Sequence, residues 1–187
     1  MPRWGEDAVV IDTGETVTEP ITVTFDGQST VTRAPCFLRV TFLNRPYAHI
    51  AEPWDRDIIN CNVSVDADVF KGQYSTVIWG HEVVFIRAVL AALYERVGQE
   101  AQGFVDLIEN PFTIRFALAP LGHLTVEIVA HGHPGMGPDL HFSIEADQSY
   151  LPGWIKQLGA ALAAFPAEIP VDVSDPLSYQ GPTPLQE

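Results

Sequence analysis

Between Asp139 and Phe165 the chain changes from one apolar periodicity to another, with only a short polar segment between them. Apolar and polar side chains alternate from Asp139 to Ala146, which is the pattern of a strand with one buried face. From residue 151 onward the apolar residues follow the spacing of a single helix stripe. They are Leu151, Trp154, Ile155, Leu158, Leu162 and Phe165. The sequence therefore predicts a strand that leads directly into a helix, with Asp147 or Ser149 capping its first turn.

The same alternation predicts further strands. It covers residues 21–25, 38–42, 59–65, 112–118 and 124–130. Asp26-Gly27 offers a turn after the first of these, so we expect an N-terminal hairpin at that position. Each strand has one apolar face, which is typical of an antiparallel sheet that is covered on one side and solvated on the other. If Leu118 lies opposite Leu124, Arg115 falls opposite Glu127 and forms an ion pair on the outer face.

A second helix is predicted from Glu82 to Val97, with Gly98 as its C-terminal stop. The helix after the last strand is predicted from Ser149 to Ala164. The fold class is therefore α+β, a largely antiparallel sheet with two principal helices packed on one face. Residues 44–57 form an irregular loop, and the sequence shows no internal repeat.

The length of 187 residues and the hydrophobic content of 47% suit one core. We predict a single domain over residues 1–187, with a proline-rich tail from about residue 166. The two cysteines, Cys36 and Cys61, are too few for a disulfide scaffold and are expected to be reduced. The N-terminus has no signal pattern and no apolar run is long enough to span a membrane, so we expect a cytoplasmic location.

The charge balance limits the possible partners. Ten Lys and Arg against 24 Asp and Glu give a net charge of −14. This field repels nucleic acid and anionic membrane surfaces, and it attracts a strongly basic protein. The alternative is that the acidity only keeps the protein soluble. The composition does not define an oligomeric state.

Four histidines form the main candidate for a metal site. They are His123, His131, His133 and His141, on or beside two neighbouring predicted strands. Imidazoles that meet at one end of a sheet can bind zinc or a similar metal. The intervals are not those of a known ligand motif, and solvated surface histidines are the simpler interpretation. We therefore expect no bound metal and no cofactor.

The sequence contains no nucleophile elbow, phosphate-binding glycine loop, zinc-binding helix motif or dinucleotide fingerprint. Glu127, Glu145, His141 and Ser143 lie on the polar strand faces and are candidates for an acid-base group. A solvated outer face is the simpler interpretation of these residues. These observations favour a binding protein over an enzyme. The alternative is an enzyme, or a small-ligand or metal-binding protein, that uses the polar sheet face and the loop His131–Pro138.

The order of elements also resembles a known family. The relevant segments are Trp79-Gly80-His81-Glu82, Pro111-Phe112-Thr113-Ile114, Gly122-His123-Leu124-Thr125-Val126, and the junction Asp147-Gln148-Ser149-Tyr150-Leu151. In this order, and in the junction above all, the chain resembles the WapI-type immunity proteins from about Phe37 to Leu162. These are small bacterial proteins that neutralise a cognate secreted toxin domain. The resemblance implies a non-enzymatic binding protein whose partner is a basic toxin.

Contact residues for such a partner are expected in the irregular loop. Aromatic anchors with charged neighbours suit a protein interface better than a polar sheet face does. Trp54, Asp55 and Asp57 meet this description. The alternative for Trp54 is that its ring packs on its own domain.

Overall fold

The computed structural model describes residues 19–132 and 137–179. Within these ranges the chain forms eight strands, three α-helices and one short 3-10 helix. The strands are β1 (Ile21–Ser29), β2 (Pro35–Asn44), β3 (Ile58–Ala67), β4 (Phe70–Trp79), β5 (Ala101–Asp106), β6 (Phe112–Leu118), β7 (His123–His131) and β8 (Asp139–Asp147). The helices are α1 (Pro53–Arg56), α2 (Gly80–Glu95) and α3 (Leu151–Ala164), and the 3-10 helix is Gln148–Tyr150.

All eight strands belong to one antiparallel sheet, in the order β4-β3-β2-β1-β8-β7-β6-β5. This order divides into two four-stranded meanders. β1 to β4 precede α2, and β5 to β8 precede α3. The meanders meet where β1 pairs with β8, over Gln28 opposite Glu145 and Ser29 opposite Ile144. The topology therefore repeats although the sequence shows no internal repeat, because alternation alone can specify the same meander with different residues.

Each principal helix packs on the first strand of the other meander. α3 contacts β1, α2 contacts β5, and the two helices contact each other. Phe25 of β1 lies against Trp154 of α3, with 5.5 Å between the ring centroids. One cluster of buried apolar residues includes members of both meanders and both helices. Because each helix packs on a strand of the other meander, the two helices hold together meanders that share only a short strand junction.

The N-terminal hairpin is present, but the predicted position of its turn is wrong. β1 continues through Asp26-Gly27 to Ser29, and the chain turns just before β2, with Arg33 at a φ of 64°. A Cβ atom on Gly27 would collide with the carbonyl oxygen of Glu145 in β8. Gly27 thus permits the close approach of β8, which is a common role of a glycine within a strand.

Several other predictions are confirmed. Leu118 pairs with Leu124, and Arg115 pairs with Glu127, with 3.8 Å between Nε and the carboxylate oxygen. Asp147 accepts the amide of Ser149 at 2.7 Å, so it caps the 3-10 helix that leads into α3. Both cysteines are free and buried. In the described part of the chain, none of the helices combines the length and apolar character needed to cross a bilayer.

Candidate functional site

A buried polar cluster lies where the loop between β2 and β3 meets the start of α2. Its centre is Asp57, which follows α1 directly and has an exposure of 0%. A carboxylate without water is stable only when charges or hydrogen-bond donors compensate it. The surroundings of Asp57 supply both.

Asp57 joins three segments of the chain. Its Oδ2 accepts the backbone amide of His81 at 2.9 Å and lies 2.6 Å from the Nδ1 of the same residue. Its Oδ1 accepts the backbone amide of Glu168 at 2.7 Å. Nη2 of Arg45 lies 3.9 Å from Oδ1. The carboxylate therefore connects the loop, the first turn of α2 and the segment that follows α3.

Arg45 reinforces the same connection. Its guanidinium donates to the backbone carbonyls of Arg56 and Pro166. Burial lowers the pKa of Arg45 from its ordinary value, and the charges of Asp57 and Glu168 act in the opposite direction. Glu168 also forms an ion pair with Arg56, with 3.3 Å between Oε2 of Glu168 and Nη2 of Arg56.

Gly80 is required for this close packing. A Cβ atom at this position would lie 2.6 Å from Oδ1 of Asp57 and 3.1 Å from Cα of Ala167. The backbone amide of Gly80 donates to the carbonyl of Asp57 at 2.9 Å. A larger residue would therefore push Asp57 away from the start of α2.

Glu82, in the first turn of α2, is a further buried acid of the cluster. Its two carboxylate oxygens accept the backbone amides of Trp79 at 2.8 Å and Ile108 at 2.6 Å. The first of these bonds closes the N-terminus of α2 in the manner of a capping box. Burial raises the pKa of Glu82, and the two amide hydrogen bonds act to lower it. Glu82 is thus a structural residue that fixes the start of α2.

Trp54 lies at the surface of the cluster. Its side chain is 51% exposed, yet its ring contacts the imidazole of His81 edge to face, with centroids 5.4 Å apart and planes at 84°. Asp55 beside it is exposed, as is Glu52. We call Trp54, Asp55, Asp57 and His81 the Trp54 site. It presents an aromatic ring and a neighbouring carboxylate to solvent over a rigid base.

The structure brings the three residues predicted from the loop together, but it gives them different surroundings. Trp54 and Asp55 are exposed, whereas Asp57 is completely buried and is not available to touch a partner. The expectation that Asp57 is a surface contact residue must therefore be corrected, because its carboxylate is used by the hydrogen bonds described above. Sequence reasoning missed His81 as a member of the site. The signal for it was its position at the start of α2, next to Gly80 and Glu82.

The histidines do not form one group. His123 and His131 lie at opposite ends of β7, where they pair with Asp147 and Asp139. The eight residue steps from one to the other span roughly 26 Å. His141 lies opposite Val129, and His133 lies outside the described residues. Among residues 19–132 and 137–179, no group of three or more potential ligands has the geometry to hold a metal ion.

The acids of the polar strand faces are engaged in ion pairs. Glu127 pairs with Arg115, and Glu145 pairs with Arg33 at the turn between β1 and β2. Uncharged neighbours are also linked, as in the bond of 2.9 Å between Ser75 and Asn62. These contacts account for the polar residues as a hydrogen-bonded outer surface, and they do not assemble an acid-base pair.

Comparisons with known proteins identify a matching family model and a solved structure of similar fold. A family model described as "Immunity protein WapI-like family" matches residues 30–166. No curated protein matches the chain. A solved structure titled "Crystal structures of trypanosoma bruciei MRP1/MRP2" is similar, with 12% identity and a TM-score of 0.42. That likeness covers 86% of this chain and 95% of the other, and its low score carries no argument about function.

Proposed function

The chain belongs to the WapI-like immunity protein family, and from this membership we propose that it is a non-enzymatic protein that binds and neutralises a basic bacterial toxin domain. It binds its toxin one to one and acts in the cytoplasm. The free, buried thiols of Cys36 and Cys61 agree with a reducing compartment.

We propose that the Trp54 site is part of the toxin-binding surface. The observation that carries this assignment is that Trp54 is half exposed but held in place by His81 over the buried Asp57. A rigid aromatic side chain loses little conformational entropy on binding, and such residues are enriched among the anchors of protein interfaces. Asp55 places a negative charge next to the anchor.

The charge of the whole chain supports a basic partner. A net charge of −14 produces a field that increases the rate of encounter with a positive domain. Many toxin domains that act on nucleic acid carry a positive cleft, and an acidic inhibitor can occupy such a cleft. The same field acts against binding of this chain to nucleic acid itself.

In the proposed arrangement, α2 and α3 cover one face of the sheet. Two contacts support it. Phe25 meets Trp154 of α3, and a Cβ on Gly103 would lie against Val89 of α2. The strand registers from β1 to β5 put Phe25 and Gly103 on the same side of the sheet. The opposite, polar face then remains solvated, and the Trp54 site lies at the start of the covering layer.

A co-expression experiment tests the proposal. The product of any toxin-like gene that neighbours the gene for this chain is induced in a sensitive bacterial host, with or without the protein, and growth is measured. Wild-type protein should restore growth, and Trp54→Ala should restore it less at equal expression. Tyr94→Ala is the matched control, because Tyr94 is also half exposed, at 50%, but lies near the end of α2. Absence of protection by the wild type would contradict the proposed function.

A further inference from the structure

We propose that His81 and Asp57 are positioning residues, which hold the ring of Trp54 in the orientation that the partner recognises. This inference rests on the proposed function, since it assigns roles within the same site. Neither residue needs to touch the partner. Asp57 fixes His81, and His81 fixes Trp54.

The first step is the orientation of His81. Its side chain is only 13% exposed, and its Nδ1 lies 2.6 Å from Oδ2 of Asp57. Because the acceptor is a carboxylate, Nδ1 is the nitrogen that carries the hydrogen and donates it. The backbone amide of His81 donates to the same oxygen at 2.9 Å, so the carboxylate that holds the ring is itself fixed relative to the start of the helix. The ring therefore has one orientation.

The second step is the contact between the rings. The planes of Trp54 and His81 meet at 84°, with centroids 5.4 Å apart. Aromatic pairs prefer this edge-to-face arrangement. Trp54 belongs to the four-residue helix α1, which is too short to hold its own conformation without support. The contact with His81 therefore restricts the exposed indole.

The third step is that the base of this arrangement cannot move independently. Asp57 is also bound to the backbone of Glu168 and lies beside Arg45, so the segment after α3 holds it in place. The backbone of Gly80 packs closely against Oδ1 of Asp57 and leaves no free space beside that atom. The buried Asp57 is therefore connected rigidly to the exposed ring. Substitutions of Asp57 or His81 should change binding only through the orientation of Trp54.

The test uses the free protein first. All tryptophans are replaced by 5-fluorotryptophan, and the ¹⁹F resonance of Trp54 is identified by its loss in Trp54→Phe. His81→Asn keeps an N–H donor near Asp57 but removes the ring. We expect the Trp54 resonance to shift and narrow in this variant, as the indole gains motion. An unchanged resonance would overturn the inference.

A second variant tests the part played by Asp57. His81→Phe keeps a ring but removes the hydrogen bond from Nδ1. Asp57 still accepts the backbone amides of residues 81 and 168, so the variant can remain folded. The inference predicts a shift of the Trp54 resonance here as well. A resonance at the wild-type position would show that Asp57 does not orient the pair.

The effect on binding is measured with the product of any toxin-like gene that neighbours the gene for this chain. His81→Asn should weaken its affinity roughly fivefold, the size expected for loss of one aromatic pair. The same change made in the Trp54→Ala background should have no further effect, since the two residues act as a unit. Additive losses would overturn the inference. If wild-type protein does not bind this product, the proposed function fails, and the ¹⁹F result still decides whether His81 and Asp57 hold the ring.

Discussion

The side-chain oxygen of Gln157 in α3 accepts a hydrogen bond from the backbone amide of Thr24 in β1, with 2.7 Å between Oε1 and N. β1 pairs with β8 at Gln28 and Ser29, and within residues 19–132 and 137–179 no strand pairs with Thr24 on that side. α3 occupies this position instead. The Gln157 side chain thus replaces a strand-to-strand bond at the junction of the two meanders.

Replacing Gln157 by Ala should lower the free energy of unfolding by about 1–3 kcal/mol, because the partly buried amide of Thr24 then has no acceptor. Urea unfolding followed by circular dichroism measures the change. Lys156→Ala is the control, since Lys156 is the exposed neighbour on the same helix and should change stability by less than about 0.5 kcal/mol. Equal transition midpoints for the two variants would show that the bond does not stabilise the junction.

A charge placed on the buried stripe of α3 tests the covering of the sheet by the helices. Leu158 is buried, and Leu158→Asp should cost several kcal/mol because it puts a carboxylate into the core. Ala160→Asp adds the same group at an exposed position of the same helix and should cost much less. Wild-type thermal stability of Leu158→Asp would contradict the packing of this stripe.

The protein should lose stability in alkaline solution partly through Cys36. Burial, with smaller contributions from Asp66 and Asp68, raises the pKa of this thiol from 9.0 to about 11. The unfolded chain therefore releases the proton at a lower pH than the folded chain, and the contribution of Cys36 to stability is lost as the pH rises from 9 to 11. The loss is about 2–3 kcal/mol for one such group.

Unfolding at a series of pH values measures this loss. Cys36→Ala should reduce the slope between pH 9 and 11 relative to wild type. The slope that remains would come from other buried groups, including Cys61 and Tyr74, whose pKa values are also raised by burial. Identical slopes for the two proteins would rule out a contribution from Cys36.

Protein purified without an affinity tag should contain less than one equivalent of zinc, nickel or copper. The reason is geometric, since His123 and His131 lie at opposite ends of β7. Elemental analysis measures the content. A stoichiometric metal that disappears when His131 and His133 are both changed to Ala would refute this prediction and support a metal-binding protein.

Much of the fold could be predicted because burial imposes periodicity. β6, β7 and β8 alternate clearly, and α3 has a well-defined apolar stripe, so each was found near its observed limits. β4 was missed because it forms an edge of the sheet and the residues Phe70 to Gln73 are all exposed. An edge strand with little burial has no alternation to detect. Gly27 was wrongly interpreted as part of a turn. A glycine is needed there because β8 approaches closely, and the local sequence does not reveal this tertiary contact.

The site was harder to predict than the fold. The irregular loop could be chosen from its aromatic and acidic residues, but whether each was exposed depended on contacts distant in sequence. Asp57 is buried by His81 and by the backbone of Glu168, which is 111 residues further along the chain. No local pattern reveals such a contact. The pairing of Arg115 with Glu127 was predictable because it follows from strand register alone.

Opposite charges should help this acidic protein to bind a basic toxin domain. The association rate of the chain with the product of any neighbouring toxin-like gene tests this, measured by stopped-flow mixing as salt rises from about 0.01 to about 1 M. Over this range the screening length falls from about 30 Å to about 3 Å. The association rate should fall by at least roughly tenfold while the dissociation rate changes much less. Asp55→Asn should reduce the low-salt rate more than Glu100→Gln, which removes one exposed acid away from the Trp54 site. An association rate that does not depend on salt, or no binding at any salt concentration, would contradict electrostatic attraction between this protein and a basic toxin domain.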